Sequence, residues 1–191
     1  MAALAMTAGL AQGQTYAFTV EGVNQGLQNS GGPVAPSRSN PLAALGAPQG
    51  LGTGNFFSLG FGGDLTLGFG GAFGTSVTIW EVTQGNIALY PEDAQVYVGW
   101  GASAASATYQ LVGAVNNLES PKTFDLTATN LITGRTTYDF VKVLDTSNPL
   151  LVPSNADGFD VDAVAVGPIP APGTVALLAA AGLIGARRRR A

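Results

Sequence analysis

Between residues 15 and 166, Gly, Pro, Asn and Asp cut the chain into short β-prone runs at intervals of about 8 to 15 residues. Such pieces are too short for helices that stand alone. They bury apolar surface only by stacking as strands, which points to a sandwich or barrel. Residues 15–20 alternate and read as a first strand. Residues 77–83 (VTIWEVT) end at Gly85-Asn86, and residues 94–100 (AQVYVGW) alternate Val96 and Val98 against Gln95 and Tyr97. Residues 109–115, 123–126, 138–144 and 159–166 continue the series. Leu59-Gly60-Phe61-Gly62-Gly63 recurs as Leu67-Gly68-Phe69-Gly70-Gly71, which reads as a strand and turn repeated in a meander, with Leu65, Leu67 and Phe69 on one face. Residues 28–49, rich in Gly, Pro, Ser and Asn, form a long loop that wraps the domain. The expected fold is all-β: an antiparallel β-sandwich (jelly roll) of about eight or nine strands, with no helix outside the chain ends.

Of the 191 residues none is Cys or His. That removes disulfides, thiolate zinc sites, cysteine or Ser–His nucleophiles and imidazole bases. Only 10% of residues are charged, and four of the eight basic ones are Arg187, Arg188, Arg189 and Arg190. The body therefore sets four basic residues against twelve acidic ones, a net charge of −8. Nucleic acid is not a partner for such a surface. Divalent cations and neutral glycans are compatible with it.

The two ends read as addresses. Residues 1–10 are nearly all small or apolar, and Gly9 and Ala11 supply the small residues of a cleavage site, so residues 1–11 are expected to be a secretory signal peptide that lacks a basic start. At the other end, Pro168, Pro170 and Pro172 break regular structure. An uncharged run of 13 residues (174–186) follows, and the four arginines close the chain. Thirteen residues fall short of the roughly 20 a permanent span needs, and arginines after the run keep the preceding chain outside the inner membrane. The order Pro170-Ala171-Pro172-Gly173-Thr174, apolar run, Arg cluster resembles the PEP-CTERM sorting signal of Gram-negative bacteria. The resemblance implies export, transient anchoring in the inner membrane, processing by a membrane-embedded exosortase, and a final place at the cell surface or in the extracellular polysaccharide matrix. One residue departs from it: the family's central Glu is Ala171 here. Processing would then involve Ala11 at one end and Pro170, Ala171, Pro172 and the arginines 187–190 at the other. The expected organisation is a signal peptide over 1–11, a β-sandwich over 12–167 and a sorting tail, with an apolar helix, over 168–191.

SNPLAALGAP, FFSLGFGGDLTLGF, YPEDAQVYVGW, YDFVKVLDTS and DGFDVDAV, in that order, are similar to discoidin-like, galactose-binding-like jelly rolls. In those folds an Asn-Pro-x-x-Ala loop meets an acidic residue near the last strand at a structural calcium. The residues themselves bear on the same point. On a strand Asp160 and Asp162 share a face about 7 Å apart. With Asn40 they make an oxygen set suited to Ca²⁺, although nothing requires a cofactor; a solvated acidic turn at Asp157-Gly158 is the competing reading. Glu81, Asp145, Asp160 and Asp162 are the candidate pairs for a carboxylate-dependent carbohydrate-active enzyme. Both glycine clusters lack the third glycine of a dinucleotide loop. Trp80, Trp100, Tyr90, Tyr97 and Tyr109 are candidates for sugar stacking. Trp100 is the preferred one, since it precedes the pliable 101–108 segment. The function expected is a non-catalytic exported domain, adhesive or structural, whose partner is exopolysaccharide; copies of itself in a matrix or filament are the alternative, and the carboxylate enzyme is the other.

Overall fold

The computed structural model describes residues 13–50 and 54–169. Ten strands form among them: β1 Thr15–Tyr16, β2 Thr19–Asn24, β3 Phe57–Ser58, β4 Asp64–Phe73, β5 Ser76–Glu81, β6 Asp93–Trp100, β7 Thr108–Asn116, β8 Lys122–Asp125, β9 Tyr138–Asp145 and β10 Asp160–Val166. They build two five-stranded sheets. One runs β1-β10-β5-β8, with β3 also paired to β10; the other runs β2-β4-β9-β6-β7. Every described strand pair is antiparallel. The fold is thus the antiparallel two-layer sandwich of the jelly-roll class that the punctuation predicts.

Alternation sets the core. Ala94, Val96 and Val98 of β6 point inward with Val141 and Val143 of β9 and Leu65 and Leu67 of β4, all fully buried. Val77 and Ile79 of β5 and Val161 and Val164 of β10 meet them from the other sheet. Strand β10 is buried along its whole length, as a central strand covered on both faces must be. One cover is the core. The other is the wrapping segment, whose turn Pro41–Ala44 packs on β10 and sends Ala44 into the core.

Four expectations are corrected. Residues 15–20 are not one strand: at Ala17 and Phe18 the chain changes sheet, Ala17 N donating to Val164 O (2.8 Å) and Phe18 N to Gly68 O (2.8 Å). The two LGFGG copies are not equivalent either. Leu67 to Gly71 lie inside β4, whereas the first copy is a turn with Gly60 and Gly62 at φ 71° and 69°. A helix, α1 (Thr127–Thr133), exists despite its β-branched Thr-rich sequence. Asp125 Oδ1 accepts from Thr127 N (2.7 Å) at its start, and Gly134 ends it in the left-handed region. Finally the strand count exceeds eight or nine, because the two-residue strands β1 and β3 are too short to show as alternation.

Candidate functional site

The register between β5 and β10 shifts where Val161 faces Glu81 and Ala163 faces Trp80. Asp162 is the extra residue of that bulge, and a bulge re-aims its side chain. Its carboxylate turns to the wrapping segment and accepts from Gln49 N (3.0 and 3.1 Å) and Gly50 N (2.9 Å). Residues 48–50 are thereby held in the lining of a cleft of about 540 Å³ that also includes Trp80, Glu81 and Thr83. Asn117 and Ser120 line it too. Trp80 is half-buried, its ring 5.9 Å from that of Tyr16. The polar groups form a relay: Asn117 Nδ2 donates to Thr83 Oγ1 (2.9 Å), and Thr83 Oγ1 donates to Glu81 Oε1 (2.7 Å). Ser120 Oγ accepts from Glu81 N (2.8 Å) and donates to Glu81 O (2.9 Å), fixing the end of β5.

Behind this cleft lies a smaller polar cavity of about 260 Å³, lined by Arg38, Gln84, Tyr90, Glu92, Asp157 and Asp160 among others. Arg38 Nη1 forks onto Asp157 (2.8 and 3.0 Å), and Nη2 donates to Gln84 Oε1 (2.9 Å). Its guanidinium carbon stands 5.5 Å from the centre of the Phe56 ring. Glu92 is buried, and its Oε2 has no hydrogen-bond partner among the described residues. Burial, joined by the negative charges of Asp160, Glu81, Asp157 and Asp145, pushes its carboxyl up to about 10. Burial likewise raises Glu81 to about 7, against hydrogen bonds from Thr83 and Glu92 that pull the other way. Asp160 is held well above the usual carboxylate range by burial and by Asp157. Asp157 is raised by burial, with Arg38 opposing.

The three oxygen ligands expected for calcium are not brought together. Asn40 Oδ1 accepts from Leu42 N (3.2 Å) and caps the turn at Pro41. Asp160 lines the polar cavity and takes the hydroxyl of Ser58. Asp162 lines the Trp80 cleft, both oxygens engaged by backbone N–H. Among the described residues no group of three or more Asp or Glu is arranged to hold a metal ion. These residues do not fit the calcium that the resemblance implies.

Trp100 closes β6 with its ring 6.0 Å from Tyr138 and the Arg135 guanidinium 5.1 Å from its centre, so neighbours already occupy it. Tyr97 and Tyr109 flank Lys142 Nζ at 5.4 and 4.6 Å on the outer face of the other sheet, and Tyr90 lines the polar cavity. The aromatics named from sequence therefore do not converge on one platform; Trp80 is the one set in a cleft with polar neighbours. Of the candidate acids, Glu81 and Asp162 share that cleft, but both are buried and already accept hydrogen bonds. Asp145 is spent as a staple, accepting from Gly62 N (2.9 Å), Phe159 N (2.9 Å) and Ser147 Oγ (2.6 Å). Ala11, Pro170, Ala171, Pro172 and the arginines 187–190 lie outside the described residues.

No protein-family profile matches the chain, and no curated protein matches it. Among solved structures it is similar to the CBM32 of AlyQ in complex with 4,5-unsaturated mannuronic acid, at 14% identity and a TM-score of 0.43, over 80% of this chain and 96% of that one. It is also similar to a truncated AlyQ with CBM32 and alginate lyase domains, at 15% identity and a TM-score of 0.41, covering 85% of this chain and 36% of that one. Overlap this loose transfers no ligand, site or activity to the chain.

Proposed function

We propose that the chain is a non-catalytic exported domain that binds neutral glycan through the Trp80 cleft and works at the cell surface or in the extracellular polysaccharide matrix. The observation that carries this reading is the pairing of Trp80 with a hydrogen-bonding wall (Asn117, Thr83 and Ser120) in one cleft of about 540 Å³. An indole face packs against the C–H face of a pyranose, and amide and hydroxyl groups serve its hydroxyls. The charged residues lining the cleft are Glu81 and Asp162, with no Lys or Arg to pair with an anionic sugar. Glycoside hydrolysis is disfavoured, because it needs an accessible acid and an accessible partner. Glu81 and Asp162 are 8% and 3% exposed and already bonded.

Export rests on the sequence of the two ends, with an exosortase-type enzyme as processing partner and the inner membrane as a transient one. Affinity electrophoresis of the full chain through gels containing neutral polysaccharides or uronate polymers tests the glycan reading. Neutral gels retard the wild type, Trp80→Ala abolishes the retardation, and Trp100→Ala keeps it. Equal mobility of wild type and Trp80→Ala in every gel sinks the reading. Intact mass of the chain recovered from medium and from membranes tests the export reading: loss of the arginine block from extracellular material supports it, and an uncut chain confined to the cytoplasm ends it.

A further inference from the structure

Three carboxyl groups from two distant stretches of the chain, Glu92 in one and Asp157 and Asp160 in the other, line one polar cavity. Concentrating acids away from water costs free energy unless a cation answers them or they take up protons. The cation in this cavity belongs to the chain. Arg38 sits two residues before the Asn40 expected to hold a metal, and its Nη1 spans both oxygens of Asp157 at 2.8 and 3.0 Å. Gln84 and the Phe56 ring complete its surroundings. The Asp157 side chain is 4% exposed and that of Arg38 27%, so the pair closes the cavity with the carboxylate inside. With Nη1 on Asp157 and Nη2 on Gln84, the planar guanidinium is held in direction as well as charge.

We propose that Arg38 is the resident cation of this pocket, clamping the wrapping segment to the start of β10 as a bound divalent ion would, so that the domain folds independently of calcium and loss of the guanidinium opens the pocket to a divalent cation. The one positive charge meets Asp157, while Asp160 takes the Ser58 hydroxyl. The unpartnered Glu92 Oε2 and the freed Asp157 oxygens would be the ligands available once the guanidinium is gone.

Thermal unfolding and calcium titration calorimetry of the full chain test this. In wild type, Tm in EDTA and in millimolar CaCl₂ agrees to about 1 °C and no binding heat appears. Arg38→Met lowers Tm in EDTA by about 6 °C or more, as expected for removing one partner of a buried pair, and calcium restores part of the loss. Arg38→Lys, which keeps the charge and loses the second nitrogen's bond to Gln84, falls between the two. A wild-type Tm that climbs with calcium, or stoichiometric calcium binding to wild type, overturns the proposal, and so does an Arg38→Met variant that folds but ignores calcium. The wild-type titration decides the matter even if Arg38→Met fails to fold.

Discussion

Rising pH should destabilise this domain, and Glu81 contributes a separable share of the fall up to neutrality. Its carboxyl is raised from 4.5 to about 7, chiefly by burial at the end of β5. Between those values the native state keeps a proton that the unfolded chain has lost. Stability is therefore fully present below pH 4.5 and falls as pH rises through 7. At about 1.4 kcal/mol per pH unit, the displacement amounts to about 3 kcal/mol. For a domain of this size that is about 6 to 12 °C in Tm. Glu92, raised from 4.5 to about 10, adds a fall of its own across the same interval and carries it beyond pH 8. The assay is a series of thermal melts from pH 5 to 9 at constant ionic strength. Glu81→Gln supplies the control, because its amide oxygen still accepts from Thr83 and no longer titrates. The expected result is a Tm that drops between pH 5 and 8 in wild type and drops less steeply over that range in the variant, which keeps the contributions of Glu92 and Asp160. A wild-type Tm that is flat or rising, or a variant that keeps the wild-type slope, refutes the assignment of the buried proton to Glu81.

Two further outcomes follow from side chains that staple the backbone. Asp162→Ala removes the acceptor that holds Gln49 and Gly50 and should cost about 1 to 3 kcal/mol in urea unfolding, with faster amide exchange at residues 49–50 and weaker glycan retention, while Asp162→Asn keeps one acceptor and loses less. Gly158→Ala forces a Cβ to 2.7 Å from Asp145 Oδ1 at φ 75°, so it should shift the urea midpoint by more than Asp162→Ala does and expose Phe159 to exchange.

The parts of the fold that follow from neighbours in sequence were readable, and the parts set by distant backbone were not. Alternation over residues 94–100 and 138–144 finds β6 and β9 because each inward Val meets the core directly. The first LGFGG copy cannot be told from the second by its letters. A Cβ on its Gly60 would lie 2.4 Å from the backbone carbon of Gly26, a contact 34 residues away, and that approach bends the first copy into a turn. The site failed for a similar reason. Strand parity puts Asp160 and Asp162 on one face, but the bulge at Asp162 adds a residue and sends the two acids to different cavities. Trp80 and Trp100 both sit near strand ends, and only the wrapping segment, arriving at residues 48–50, makes one of them the wall of a cleft.

The imbalance of twelve acids against four basic residues in the body, visible at once in the sequence, turns out to govern how the loops are held. Lys122 pairs with the exposed Glu119, Arg135 lies over Trp100, and Lys142 sits between two tyrosines. Among these body cations Arg38 is the one that reaches a buried acid. Most of the remaining buried carboxyls are met by hydrogen bonds instead, Glu92 Oε2 excepted. Asp145 and Asp162 accept backbone N–H groups from the loops they cross, and Asp160 takes a serine hydroxyl. An acid used this way fixes a loop without needing a counter-ion. The same economy leaves the Trp80 cleft with acids and, among the described residues, no cation in its lining, and the glycan proposed for it is for that reason a neutral one.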